Sequence, residues 1–316
     1  MKLSQAFIRL PLHFDVGRMQ AEVAALQSSA WVRHPTGFEG NSAARLITVD
    51  GQESDAVGGE MRATPHLHQS PYLQQVLASF GTVWSRSRLM KLGPGAEVPE
   101  HSDLNYHWFH RVRVHIPIFT RPGVHFHCDG QTVHMAAGEA WIFDNWRHHR
   151  VQNATPLERV HLVADTTGSA HFWQLVKAGV NGEPTRLVPY ESARPVSVLM
   201  ERYNSFRVMP PAEMDQLLRD LTADTISERG DSAAIGHFVG LIDSFRADWR
   251  QLWSLYGDED AGIEQYQRLV RALSERAQIL SKGLQTRSNG LPTMLVLDAR
   301  VLQHALSGKG GHLRRP

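Results

Sequence analysis

Two periods of apolar residues divide the chain. Between about 84 and 166 the period is two. In Arg111-Val112-Arg113-Val114-His115-Ile116-Pro117-Ile118, the residues Val112, Val114, Ile116 and Ile118 fall on one face of a strand, and Arg111, Arg113, His115 and Pro117 on the other. Val124 to Cys128, the turn Asp129-Gly130 and Gln131 to Met135 form a hairpin signal. Arg88 to Leu92 runs into the turn Gly93-Pro94-Gly95, and Gly138 to Asp144 and Arg159 to Asp165 complete the set. Short antiparallel strands with turns between them predict a sandwich or barrel, jelly roll included. Beyond about 190 the period becomes helical. Pro210-Pro211 opens a run through Met214, Leu217, Leu218 and Leu221, and Ala233 to Tyr256 is long and amphipathic. Asp258 to Leu284 reads as a third helix and Leu295 to Leu306 as a fourth. Residues 1 to about 80 are mixed, with one short helix opened by Pro71 and ended by Gly81. The expected organisation is a β domain with N-terminal helices over residues 1–190 and a helical region over 191–316.

Composition narrows the class. Of 316 residues, 42% are hydrophobic and 21% charged, which permits a sizeable core without disulfides. A net charge of +1 argues against nucleic-acid or membrane-surface partners, and the short basic tail His312-Leu313-Arg314-Arg315-Pro316 does not alter that. There is no apolar run of membrane-spanning length and no signal-peptide pattern at the N-terminus. With Cys128 as the single cysteine, a reducing, cytoplasmic setting is expected. A homodimer through the C-terminal helices is compatible with this pattern.

Histidine directs attention to one stretch: ten of the 18 lie between His101 and His161. In His101-Ser102-Asp103 the two potential ligands stand two residues apart in extended chain and project from the same side. A third ligand from another strand would complete a facial triad with three open positions, the arrangement of non-haem iron(II) oxygenases. His149, beyond the strand Ala140 to Phe143, is the candidate, with His148 its neighbour and competitor. Ten residues later comes Arg159. A dianionic 2-oxoacid chelating the metal needs its far carboxylate held, and a guanidinium offers a two-pronged site that keeps its charge. Arg113 and His115 share a strand face and are placed to meet the near carboxylate or the substrate. His125, His127 and His134 read as ordinary hairpin positions.

Together Pro71-Tyr72-Leu73, Arg88 to Leu92, Pro99-Glu100-His101-Ser102-Asp103, Arg113-Val114-His115, Gly138 to Asp144, His149 and Arg159 to Asp165 resemble the aspartyl/asparaginyl β-hydroxylase superfamily. Within it, they resemble the free-amino-acid branch typified by L-proline cis-4-hydroxylase. The resemblance covers roughly a third of the chain, with every motif in the family's order. It implies a double-stranded β-helix, a cupin-like jelly roll, followed by helices. It also implies an iron(II) site at His101, Asp103 and His149, 2-oxoglutarate held by Arg159 with Arg113 and His115 lining its pocket, and O₂ as oxidant. Arg88 falls on a strand arginine that can face the pocket. Asp103 distinguishes the chain from relatives that use two histidines only and act on proteins, so a small amino-acid substrate is expected. The loop Leu104 to His110 departs from the proline hydroxylases. Candidate substrate residues are Arg88, Asn105, Trp108, Arg121 and Trp146.

The expected activity is hydroxylation of an unactivated carbon of a free amino acid or small derivative, with release of succinate and CO₂. Two alternatives stand beside it: a peptide or protein aspartyl/asparaginyl β-hydroxylase, and a cupin-like metal enzyme or binding protein that uses no 2-oxoglutarate.

Overall fold

The computed structural model describes residues 1–34 and 37–306, so the basic tail His312–Pro316 lies outside the described residues. The chain opens with β1 (Phe7–Phe14), α1 (Val16–Ala24), β2 (Val32–Arg33), β3 (Asn41–Val49), β4 (Met61–Ala63), α2 (Pro65–His68) and α3 (Pro71–Ala78). Then come β5 (Trp84–Leu92), β6 (Glu97–His101), α4 (Tyr106–His110), β7 (Val112–Phe119), β8 (Val124–Cys128), β9 (Gln131–Val133) and β10 (Glu139–Phe143). β11 (His149–Asn153), β12 (Arg159–Thr166), α5 (Ala170–Val180) and β13 (Arg186–Val188) follow. The last part holds α6 (Pro211–Asp224), β14 (Thr225–Ser227), α7 (Ser232–Tyr256), α8 (Ile263–Leu280), β15 (Leu284–Thr286) and α9 (Thr293–Leu297), which runs on into a π-helical turn at Asp298–Leu302.

One sheet has the order β13-β1-β10-β7-β12-β5-β3-β2, with β4 paired to β3; a smaller one has the order β6-β11-β8-β9. From β5 onward the chain passes back and forth between the two, which is the winding of a double-stranded β-helix. The β8–β9 hairpin turns at Asp129 and Gly130, both at positive φ (50° and 72°), as a two-residue hairpin requires.

The period-two pattern has an unusual consequence. Val112, Val114, Ile116 and Ile118 are all fully buried, but they do not fill the space between the sheets. They face outward, in one cluster with Leu162, Ile142 and Leu10 and with Tyr72, Leu73, Val76, Leu77, Phe172 and Val176 of the covering helices α3 and α5. Each such side chain contributes at most about 1.5–3 kcal/mol of burial. Between the sheets the apolar set is smaller: Phe7, Leu92, Phe126, Cys128, Met135, Phe143 and Val151. The remaining inner face of the large sheet is left to arginine and histidine.

The structure adds elements that the alternation does not reveal. β1 and β3 lie in the large sheet, where a mixed segment with helices is expected. β1 is buried on nearly every residue, because β10 and β13 flank it and α5 packs on it, so no polar face marks it as a strand. Its Pro11 sits where the pairing with β10 shifts register between Leu10 and His13.

By its internal contacts the chain forms two units: Met1–Asp103 with His110–Asn204, and Leu104–Phe109 with 205–316. By these contacts the division falls after Asn204. Residues 199–204 stay with the barrel because Glu201 takes both prongs of Arg111 (2.9 and 2.8 Å) and Leu199 and Glu201 bond the main chain of Trp84. In the second unit α6, α7 and α8 pack through Leu217, Leu218, Phe238, Ile242, Trp249, Tyr266 and Val270. Arg300 there donates to Asp220 (3.0 Å) and to the Leu104 carbonyl (3.3 Å), and lies over Phe109. Among the described residues no helix is long and apolar enough to cross a membrane.

Candidate active site

β6 and β11 are antiparallel neighbours, and their register sets His149 opposite His101. Directly opposed residues share a face, so both imidazoles stand on the same side of the small sheet. Asp103 follows two residues after His101, and its N–H donates to the Asn145 carbonyl (2.9 Å). That bond ties the His101 segment to the turn leading into His149. Asp144 holds the turn, its carboxylate accepting from the N–H groups of Trp146 (3.1 Å) and Leu3 (2.9 Å) and from Arg147 Nε (3.1 Å). The outcome is a cluster in which ligand atoms of His101, Asp103 and His149 all lie within 4.8 Å of one another.

The two histidines are oriented alike. His101 Nδ1 lies 2.8 Å from the Pro99 carbonyl and His149 Nδ1 lies 2.9 Å from the Arg147 carbonyl. A carbonyl only accepts, so each Nδ1 carries the proton and each Nε2 presents a lone pair. Burial pushes the His149 imidazole down to about 4, against the pull of the Asp103 charge, which keeps it neutral and available as a ligand at pH 7. His148 is exposed and lies 3.4 Å from Ser102 Oγ, pointing away as adjacent strand positions must.

The inner face of the large sheet has two charged zones. At one end stands Arg159, 5% exposed. Its Nη2 donates to His161 Nδ1 (2.9 Å), while its Nε has no partner. Burial alone pushes this guanidinium down to about 9, still protonated at neutral pH, and among the described residues no carboxylate bears on it. His161 Nε2 is unpartnered, as are both ring nitrogens of His115, which is packed edge-on to Phe126, Phe143 and His161. Burial, then the Arg159 charge, holds both imidazoles well below the usual histidine range. Each orphaned donor costs about 1–3 kcal/mol, a cost that an acceptor supplied from outside the chain would remove.

At the other end, beyond the His101–Asp103–His149 cluster, four arginines meet two aspartates. Arg113 grips Asp165 with Nε and Nη2 (2.8 and 3.2 Å), and Arg45 grips Asp55 (3.4 and 2.9 Å). Arg88 reaches the same Asp55 (2.9 Å) and places Nη1 3.3 Å from His34 Nε2, while its Nε is buried without a partner. Arg86 lies 3.8 Å from Asp165 and donates to the Asp55 carbonyl (3.3 Å). Burial pushes His34 down to about 4, and the neighbouring arginines add to it; it is neutral.

The other candidate residues are dispersed. Asn105 and Trp108 belong to the second unit, Trp108 nearly buried with its N–H on the Asn105 carbonyl (3.1 Å). Arg121 is exposed and lines a groove with Gln20, Phe119, Thr120, Leu157 and Glu158, which contains none of the three clustered ligands. Trp146 is buried beneath the Lys2 ammonium. His125 and His127 stand on the outer face of β8, His127 bonding Thr132 (2.7 Å), and His134 bonds the Val124 carbonyl (3.0 Å). Burial pushes the Cys128 thiol up to about 12, which makes it unreactive. Sequence reasoning missed His161, Asp165 and Arg86 as site residues, although strand parity from Arg159 and Arg88 points to them. Nothing local to Arg45, Asp55 or His34 announces a role.

Residues 47–168, well under half of the chain, match the family described as Aspartyl/Asparaginyl beta-hydroxylase. The match supports an enzyme of the hydroxylase kind. No curated protein sequence matches the chain. Among solved structures, an oxidoreductase of the 2OG-Fe(II) oxygenase family from Burkholderia pseudomallei is 18% identical, over 52% of this chain and 87% of that one, with a TM-score of 0.39. A prolyl-4-hydroxylase from Pseudomonas putida is 14% identical over 53% and 95%, with a TM-score of 0.35. A cupin 2 conserved barrel domain protein from Salinispora arenicola is 14% identical over 48% and 93%, with a TM-score of 0.27.

Proposed function

We propose that this protein is an iron(II)- and 2-oxoglutarate-dependent hydroxylase acting on a free amino acid or a small amino-acid derivative. The observation that carries the reading is one arrangement: a His-Asp-His cluster with both Nε2 lone pairs free, and behind it a buried arginine with no acid of its own. The donor set suits the group. Two imidazoles and a carboxylate favour a divalent first-row metal and leave positions open, as oxygen-activating iron sites require. Iron(II) with 2-oxoglutarate and O₂ supplies the oxidising chemistry when bound.

The rest is the work of the chain. Arg159 and His161 offer donors to the far carboxylate of the co-substrate, and His115 stands next to them as a neutral imidazole. Arg113, kept charged and oriented by Asp165, faces the near end beside Asp103. The main-chain carbonyls of Pro99 and Arg147 fix both ligand tautomers. Phe126, Phe143 and Val151 exclude water from the space between the sheets. A cupin-like enzyme without a 2-oxoacid has no use for a buried Arg159, which favours the first reading.

Anaerobic reconstitution with iron(II) and 2-oxoglutarate tests it. A weak visible charge-transfer band is expected in wild type, lost in His149→Ala and weakened in Arg159→Gln. Metal-loaded, folded protein without such a band would overturn the assignment.

A further inference from the structure

The three clustered residues differ in how each is held. His101 and His149 are fixed through their own rings, Nδ1 of each on a barrel carbonyl. Asp103 is held by its main chain, the N–H on the Asn145 carbonyl (2.9 Å), and its carboxylate lies in the field of Arg86 and Arg113. It stands two residues beyond the end of β6, where the strand no longer dictates the path of the chain. The next anchor begins one residue on. Leu104–Phe109 belongs by its contacts to the helical unit, and the chain rejoins the barrel unit at His110, just before the Arg111–Glu201 pair. Within the helical unit one side chain takes hold of both ends of this strap. Arg300 Nε donates to the Leu104 carbonyl (3.3 Å), and its guanidinium lies over the Phe109 ring (5.1 Å to the centroid). Between them Tyr106 packs edge-on to Phe206 (5.5 Å) and against His304 (5.6 Å). Arg300 is itself buried and fixed, donating to Asp220 of α6 (3.0 Å) from the middle of the π-helical turn Asp298–Leu302. Turns of this kind occur mostly as single bulges in helices, frequently at functional sites. Asp103 thus has an anchored peptide group on either side, and only the φ and ψ of Asp103 and Leu104 lie between the two anchors. Moving either anchor swings the carboxylate.

We propose that Arg300 is a positioning residue for the metal site: through the Leu104 carbonyl and the Phe109 ring it sets where the Asp103 carboxylate stands. The proposal rests on reading His101, Asp103 and His149 as metal ligands, and it gives the helical unit a part in that site that acts along the chain. Groups that orient a ligand without touching the metal still govern its affinity, because a ligand already in place loses less freedom on binding. An Arg300 that served helix packing alone would stabilise the helices and leave metal affinity unchanged.

The test titrates the full chain, freed of metal, with cobalt(II), whose visible absorption reports an ordered site of nitrogen and oxygen ligands. Arg300→Gln should weaken cobalt(II) binding about tenfold, the lower end of what outer partners of a ligand contribute. Arg300→Lys, a point charge without the fork, should lose affinity too, and it keeps the test open where the glutamine variant does not fold. Val270→Ala, which opens a cavity in the core of the same unit, should lower the melting temperature without moving cobalt(II) affinity. In an Asp103→Ala background the Arg300 substitutions should change affinity by less than about twofold, because the carboxylate through which they act is gone. Wild-type affinity in the folded Arg300 variants, an equal loss in Val270→Ala, or an undiminished loss in the Asp103→Ala background would overturn the proposal. If wild type gives no cobalt(II) absorption that His149→Ala removes, the metal reading fails and takes this one with it, a result distinct from each of those.

Discussion

The two ends of the barrel interior use the same residue type in opposite ways. At one end a single arginine, Arg159, is buried without a carboxylate and leans on a neutral histidine. At the other, Arg113 and Arg45 are each gripped by an aspartate through two hydrogen bonds. An unpaired buried charge strains the protein until a ligand comes, whereas a paired one stiffens the protein itself. Burial alone therefore does not distinguish the two kinds of arginine; the presence of an acid partner does.

The sharpest way to break the comparison is to remove what lies between the two ends. Asp103→Ala should nearly abolish succinate formation while far-UV circular dichroism stays at wild type. Turnover at the wild-type rate would remove the metal from the account. Next in size, Arg159→Gln should weaken 2-oxoglutarate binding about a hundredfold, a loss in the range of two charged hydrogen bonds, as read from the anaerobic band. The same variant should not lower the melting temperature of the metal-free protein, because it removes a charge that the fold leaves uncompensated. Asp165→Asn should do the reverse at the paired end. It leaves Arg113 without its counter-ion and should cost about 3 kcal/mol in denaturant unfolding. Equal stability losses in both variants would show the distinction between the ends to be false.

The smallest effect is a matter of pH. His34, His115 and His161 are all held below the ordinary histidine value, so the unfolded chain binds more protons than the folded one below about 6.5. Stability of the metal-free protein should be level above that pH and fall as pH drops toward about 4, the value for His34. His34→Gln should flatten that acid limb in a series of thermal melts; an unchanged slope would mean that this imidazole is not buried neutral.

Much of this was legible in the chain. The strands of the barrel that announce themselves have one face under helices and another full of polar residues, as β7 does. β1 and β3 were not legible, since an interior strand buried on both faces carries no alternation. His101 and Asp103 could be marked by their two-residue spacing and Arg159 by its place ten residues after His149, although His149 lies 48 positions beyond His101. Asp55 and His34 could not, because they arrive from turn-rich segments far from β5 in sequence and matter only through the arginines that they meet. The inward aim of Arg113 and His115 also needed the fold. Alternation shows that a strand has a polar face, and only the covering helices show that this face looks inward.

The small sheet ends on β6, five residues long, mostly exposed and paired on one side only. That rim holds His101, with Asp103 just past its end, while His149 sits on the better-protected strand beside it. A metal ion bound there works as a rivet through a loose plate. Loading it should slow amide hydrogen exchange along Glu97–His101 more than anywhere in the large sheet, and stripping it with a chelator should let the rim fray before the barrel opens.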